Sequence, residues 1–377
     1  MDDMTSTLPA TETPIERQLE VKPAIDAGPD VFTHRHALWH PQGARGIFGG
    51  ITIAQSLSAA QETIAPEFDA HSMHCTFVRA GSAMDTIHYH VERVRDGKSY
   101  SIRAVKAIQN DRTIFLATIS FARALPESIT NLRHAVPKPP MVPKPQATEV
   151  DSDNNEDVSK TPYMNQSVGM THITSDPCHK RMHQWIKTRG KISSKGGSRA
   201  HLAALAFMSD SYFLAGLPQS HNTWSFVNPP ITEFYDCEGR LGLASPIHTP
   251  IPRPHLQGSQ TVSNQPRRVG MMVSLDHSIY FHQARHLKVD DWLLTEVQTH
   301  WAGQGRGLVS QKIWDKDGTL LASCIQEVSH PIQSSDFPPT HGFPRVSCDS
   351  RSVRMAFINP TLLLDSECYL WLEFTSK

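Results

Sequence analysis

Residues 70–79 read AHSMHCTFVR and residues 275–284 read LDHSIYFHQA; adding 206 to a position in the first stretch places His71-Ser72 on His277-Ser278. The same register runs without a gap to at least residue 119. Ile87 falls on Leu293, Val91 on Val297, Ile102 on Leu308, Asp111 on Asp317, Thr113 on Thr319 and Ile119 on Ile325. Self-similarity at one fixed spacing is the mark of a duplicated supersecondary unit. Four strand-like runs make up the first copy: 70–79, 85–93 (DTIHYHVER), 99–108 (SYSIRAVKAI) and 113–122 (TIFLATISFA). Ile87, Tyr89 and Val91 alternate with polar residues, and Asp96-Gly97 and Asn110-Asp111 supply hairpin turns. Counterpart strands are expected near 271–282, 292–301, 306–314 and 319–329.

A helix precedes each set of strands. Gly49-Gly50 opens one with Ile51, Ala54, Leu57, Ala60 and Ile64 at helical spacing, and residues 200–216 (AHLAALAFMSDSYFLAG) supply the other. The helices are offset by about 150 residues, so the extra length of the second copy lies between its helix and its strands. The predicted class is α+β, two tandem copies of a helix wrapped by an antiparallel sheet. Edge-to-edge pairing of the copies would hide strand edges that otherwise invite aggregation.

The expected organisation is a disordered arm at 1–28, a first domain at 29–135, a linker at 136–179, a second domain at 180–330 and an irregular tail at 331–377. The linker (VPKPPMVPKPQATEVDSDNNEDVSK) is proline-rich, then acidic, and has little apolar surface to bury. A Pro/Ser/Gln-rich insertion at 238–268 is expected to be a loop inside the second domain.

Composition narrows the function classes. In 377 residues, Lys+Arg 36 against Asp+Glu 37 leaves a formal charge of -1, with no basic excess to neutralise phosphates, so no nucleic-acid partner is expected. No apolar run approaches the ~18 residues of a membrane span. The start, MDDMTSTLPATETP, is acidic and polar, unlike a secretory signal. Six dispersed cysteines without a CxxC argue against a disulfide framework or a zinc knuckle, and the expectation is a soluble intracellular protein. The pairs His34/His36, His88/His90 and His282/His286 have no carboxylate or cysteine cluster at metal-ligand spacing, so neither a metal nor a cofactor is expected.

Duplication provides an internal control, because polar residues placed in one copy only are the informative ones. Asp276 replaces Ala70, Thr299 replaces Arg93 and Gln326 replaces Ser120. A carboxylate, a hydroxyl and an amide can together bind one water, with Asp276 accepting its proton and the other two fixing its direction. The plain alternative is that all three are solvent-facing strand residues. His71 and His277 match in both copies, which favours a structural role.

The stretch 45–122 resembles the N-terminal half of the acyl-CoA thioesterase II family, through GIFGG and its helix, HSMHCTFVRAG at 71–81 and YHVERVRDGKSYSIRAVKAIQNDRTIFLATISF at 89–121. The second half is similar through LDHSIYFHQA at 275–284, DDWLL at 290–294, WAGQGRGL at 301–308 and DGTLLASCIQE at 317–327. The resemblance implies a double hotdog fold, an acyl-CoA substrate and thioester hydrolysis. Its motif positions for water activation are Asp276, Thr299 and Gln326. The oxyanion is expected at backbone N–H groups near Gly49 and Gly50, where a helix N-terminus favours negative charge. Ile47 and Phe48 are candidates for the acyl-chain wall, with core packing as the alternative. G-x-S-x-G is absent, which weighs against an α/β-hydrolase. Two other readings remain open: a hotdog hydratase or dehydratase using Asp276 with His277 or His282, and a non-catalytic acyl-CoA binder. His300 departs from the family pattern, as do the 238–268 insertion and the tail. Many eukaryotic relatives end in a Ser-Lys-Leu-type peroxisomal address; this chain ends Thr-Ser-Lys, so the expected location is peroxisomal or cytoplasmic. Apolar faces predict association of these pseudo-dimeric chains into homo-oligomers.

Overall fold

The computed structural model describes residues 13–40, 46–124, 132–140, 142–145, 161–173, 175–211, 213–221, 268–269, 272–329 and 332–333. The first half contains α1 (Pro14–Leu19), β1 (Val21–Pro23), β2 (Val31–His34), α2 (Gly49–Gln61), β3 (Phe68–Phe77), β4 (His88–Asp96), β5 (Tyr100–Gln109) and β6 (Arg112–Arg123). The second half begins with β7 (Tyr163–Thr171), β8 (Arg181–Thr188), α3 (Gly197–Ser209) and α4 (Phe213–Ser220). It continues through β9 (Arg268–Val269), β10 (Val273–Ser274), β11 (Asp276–Phe281), β12 (Leu293–Gly303), β13 (Arg306–Trp314), β14 (Leu320–Ser329) and β15 (Ile332–Gln333).

One antiparallel sheet runs β1-β2-β4-β5-β6-β3-β11-β14-β13-β12-β8-β7, with β10 also paired to β14; β9 and β15 pair separately. The order reads the same from either end once the second half is mapped on the first. At the seam Met73 faces Ile279, and Ser72 and His74 face Tyr280 and Ser278. Met73 and Ile279 occupy the same repeat position, so a pseudo-twofold axis passes between them, as for an isologous dimer of two domains. Each half is a helix wrapped by an antiparallel sheet, as the repeat predicts, and the whole is the double hotdog that the resemblance implies.

The helices are apolar around most of their circumference because sheet covers one side and the partner helix the other. Ile51, Ile53, Leu57, Leu202, Leu205 and Phe207 are fully buried between the halves. The segment Gly197–Ser220 has the length and hydropathy of a membrane span. Its span window is 82% buried inside the fold, as expected for the core helix of a globular domain.

Several boundaries need correction. Residues 13–28 are not a loose arm: α1 has a capping box between Thr13 and Glu16, and Ile15 is 0% exposed. The expected linker contributes β7 at the sheet edge, and its proline segment is pinned by indole donors, Trp185 Nε1 to Pro143 O (2.7 Å) and Trp314 Nε1 to Val136 O (3.0 Å). Edge strands β1, β2, β7 and β8 extend both ends of the predicted meanders. The helix expected over 200–216 is divided into α3 and α4, with Asp210 closing α3. Short polar side chains at Ser209, Asp210 and Ser211 compete for backbone hydrogen bonds and favour a helix end there. Residues 1–12, the acidic run at 146–160, residues 238–267 of the insertion and residues 334–377 of the tail lie outside the described residues.

Candidate active site

Besides the β3–β11 seam, the two halves touch at the head of α2. Phe48 is its N-cap, 2% exposed, with its ring edge-on to Trp39 (5.7 Å) and Phe207 (5.0 Å). Phe48 therefore anchors the helix start in the core, and Ile47 packs partly buried beside it. Gly50 is required by close approach: a Cβ there would lie 2.3 Å from Phe207 O. At Gly49 a Cβ would meet Asp210 Oδ2 at 2.6 Å and the Phe77 ring at 2.9 Å. The glycine pair thus brings backbone N–H groups of the first half against side chains of the second.

Strand pairing sets the second wall. Thr299 of β12 faces Val309 of β13, and Val309 faces Gln326 of β14, so Thr299 and Gln326 stand in one row of the inner face. Both are buried, at 3% and 0% exposure. Thr299 Oγ1 has no hydrogen-bond partner. Gln326 is well occupied: Oε1 lies 2.7 Å from His277 Nδ1, and Nε2 donates to Ser274 Oγ. His277 Nε2 in turn lies 3.0 Å from Ser209 Oγ. Burial pulls the His277 pKa down to about 4, so the ring is neutral and Nδ1–H is the donor to Gln326. His71, at the equivalent position of the first copy, makes the same kind of bond to Ser120 Oγ (2.8 Å), the residue equivalent to Gln326. A shared structural function for the two histidines is consistent with this.

Asp276 is placed by a β-bulge. Ser274 pairs with Val328, but Ser278 pairs with Ile325, so one extra residue is inserted and Asp276 and His277 together oppose Gln326. Bulges re-aim side chains and recur beside active sites. Asp276 Oδ1 accepts the Glu327 N–H at 2.7 Å, and the residue borders an open groove of about 810 Å³ with His74, Thr76, Lys106 and Ser278. Asp276 pairs with the exposed Thr76 across the seam, so the contacts of its carboxylate are the Glu327 N–H and the open groove, and no hydrogen bond joins any two of Asp276, Thr299 and Gln326. His300 turns away from the row: it is exposed, with Nε2 2.6 Å from Ser310 Oγ.

Asp210 was not singled out by the sequence. Asp210 is 7% exposed, and its carboxylate lies near the Gly50 N–H and the Gln326 side chain. Burial raises its pKa to about 7, against the lowering effect of those two donors. The available signal was a charged residue inside an otherwise apolar run, LAALAFMSDSYFLAG. Among the described residues no three His, Cys, Asp or Glu side chains cluster as metal ligands. Instead, His34 Nδ1 contacts His36 O, His36 pairs with Glu20, and His282 contacts Ser323.

Comparison with known proteins follows the same division into halves. A family model described as the acyl-CoA thioesterase N-terminal domain matches residues 35–122, and one described as the acyl-CoA thioesterase C-terminal domain matches residues 138–329. Acyl-coenzyme A thioesterase 8 of Rattus norvegicus is 30% identical over 319 residues, covering 79% of this chain and 83% of the relative. Peroxisomal acyl-coenzyme A thioester hydrolase 1 of Saccharomyces cerevisiae is 25% identical over 346 residues, covering 83% of this chain and 93% of that one. Among solved structures, acyl-CoA thioesterase II TesB2 of Mycobacterium marinum superposes with a TM-score of 0.59 at 23% identity, over 86% of this chain and 99% of that chain, a likeness of fold.

Proposed function

Because the chain belongs to the acyl-CoA thioesterase II family, we propose that it hydrolyses acyl-CoA to a free carboxylic acid and CoA by direct attack of water. The observation that supports the reading is an unpartnered, buried Thr299 hydroxyl in the same strand row as Gln326, with Asp276 on the bulge of the strand that pairs with the one carrying Gln326. In this reading Thr299 and Gln326 direct the water. The Asp276 carboxylate takes its proton as the oxygen attacks the thioester carbonyl carbon. The carbonyl becomes an oxyanion, which the N–H groups at the head of α2 are placed to receive. Collapse breaks the C–S bond, and the proton held by Asp276 passes to the departing CoA thiolate. No covalent acyl-enzyme is needed. The name of the Saccharomyces cerevisiae relative supports a peroxisomal location, with the cytoplasm as the alternative, and an acyl-CoA substrate puts the reaction in lipid metabolism.

The test is free-thiol release from acyl-CoAs of short to long chain, with wild type and Asp276→Ala compared. Turnover by wild type that collapses in the variant, with acyl-CoA binding retained, supports the reading. Absence of hydrolysis at every chain length by folded wild type would sink it in favour of a binding protein.

A further inference from the structure

The inner face of the second half's sheet carries side-chain amides that the fold does not satisfy. Gln311 of β13 is 1% exposed, and neither its Oε1 nor its Nε2 has a hydrogen-bond partner among the described residues. It stands opposite Val297 of β12 and Cys324 of β14, one row along the strands from Thr299, Val309 and Gln326. Gln184 of β8 lies opposite Thr295 in the row after that, 3% exposed and with Nε2 also unpartnered. Burying an amide with its hydrogen bonds unmade opposes folding, and a leucine would fill the space without that cost. The two copies sharpen the point. At the register of 206, Gln311 replaces Val105, which pairs with Val91 as Gln311 pairs with Val297. Packing asks for an apolar residue at this position, and the first copy has one, 2% exposed.

We propose that Gln311 is a specificity-determining residue that holds a hydroxyl group carried partway along the substrate's acyl chain. The inference rests on the hydrolase reading above, which puts the thioester between the head of α2 and the Thr299–Gln326 row. CoA is large and charged and stays on the solvent side. The acyl chain then runs inward along the strands, away from the β12–β13 turn at Gln304-Gly305. Gln311 lies one row deeper on that course, about 7 Å by two residues of strand rise.

The chemistry of the amide selects the group. With both atoms unpaired it offers an acceptor oxygen and donor hydrogens, and a hydroxyl donates to the first and accepts from the second. A keto oxygen would satisfy Nε2 and leave Oε1 unmet. A carboxylate would bring a charge, and the buried residues of β11 to β14 include no lysine or arginine to meet it. The cover over this part of the sheet is close. Helix α4 lies across β12 and β13, where a Cβ on Gly216 would fall 2.8 Å from Val297 Cγ1 and 3.5 Å from Val309 Cγ1. A chain without the hydroxyl therefore leaves the amide desolvated and unpaired, and discrimination follows from that penalty.

The experiment uses the full chain with decanoyl-CoA, plain and as a series of positional hydroxy isomers. Wild-type thiol release is expected to favour one mid-chain isomer over the plain substrate by about tenfold or more in kcat/KM. Gln311→Leu should abolish that preference, losing on the hydroxy isomer and gaining on the plain chain, which then lies against an apolar wall. A flat wild-type series, or the same preference in Gln311→Leu, overturns the proposal. Binding is measured separately, by titration calorimetry with the uncleavable thioethers S-decyl-CoA and the S-(hydroxydecyl)-CoA isomers. Tighter binding of one hydroxy thioether to wild type, lost in Gln311→Leu, supports the site whether or not any thioester is hydrolysed. An inactive wild type would then sink the hydrolase reading alone, while equal binding of every thioether sinks this one. Without ligand, Gln311→Leu should unfold in urea at a midpoint equal to or above that of wild type. A clearly lower midpoint would mean that the amide has a structural partner, and would overturn the proposal.

Discussion

Asp276 Oδ1 accepts the backbone N–H of Glu327 at 2.7 Å, which ties the extra residue of the β11 bulge to the strand that carries Gln326. One carboxylate oxygen is committed to structure, and the proposed mechanism uses the other. Asp276→Asn keeps an accepting oxygen at that place and removes the proposed base. The expected result is a melting temperature near that of wild type with kcat lower by about 10²–10⁴-fold, the range for a lost general base. Asp276→Ala should lose a similar factor in kcat and about 1–3 kcal/mol of stability for the unmade bond. Calorimetry alongside thiol release separates the two roles, and a fully active Asn variant would exclude Asp276 as the base.

Gly50→Ala should damage the fold more than Gly49→Ala. At Gly50 the new Cβ meets a backbone oxygen, Phe207 O at 2.3 Å, which cannot move without shifting α3. Overpacking of this kind costs about 1–3 kcal/mol. At Gly49 it meets the Asp210 carboxylate and the Phe77 ring edge, groups that turn aside more cheaply. Gly49→Ala should therefore keep most stability while losing activity, because the new methyl group crowds the head of α2, where the proposed oxyanion N–H groups lie. Urea midpoints and kcat for both variants check the ordering.

The two titrating groups of the site work against each other in the stability of the fold. His277 has its pKa lowered from 6.5 to about 4, so the unfolded chain binds the extra proton between those values and stability rises with pH there. Asp210 has its pKa raised from 3.8 to about 7, so the folded chain binds the extra proton and stability falls with pH from about 4 to 7. Across pH 4 to 6.5 the contributions cancel. Removing the acid by Asp210→Asn should leave the histidine unopposed. The slope of unfolding free energy against pH would then exceed that of wild type by about 1.4 kcal/mol per pH unit, one proton's worth. Urea unfolding at four or five pH values measures it, and parallel slopes would count against the assigned shifts.

The duplication was legible because both copies keep one spacing through four strands, and the pairing of Met73 with Ile279 shows that the spacing also encodes the symmetry axis. Thr299 and Gln326 stood out for a related reason, as polar replacements in one copy only, and the strand pairing buries both. Three features were not legible. The edge strands follow the helices' spacing of about 150, and β7 (YMNQSVGMT) is too polar to announce a strand. The bulge at Asp276 arises between β10, β11 and β14, while the 206-residue register runs through it unbroken. Asp210 looked like a helix-interior residue, and only the meeting of α3 with the head of α2 brings its carboxylate against Gly49.

The N-terminal segment offers the last prediction, because its polar sequence concealed a packed element. Ile15 is 0% exposed and Leu19 5% exposed, and both belong to the common core. Glu16 closes the capping box with Thr13 and its Oε1 also takes Ser193 N (3.0 Å) and Oγ (2.6 Å), so α1 is fastened to the start of the second half's helical region. Those donors hold the Glu16 carboxyl below its usual range although burial opposes them. Ile15→Ala should accordingly cost about 2–5 kcal/mol, as at other core positions. It should lower the urea midpoint with little change in m or in kcat, since no part of the site is touched. A loose arm would show a change within about 0.5 kcal/mol, the usual result at an exposed position.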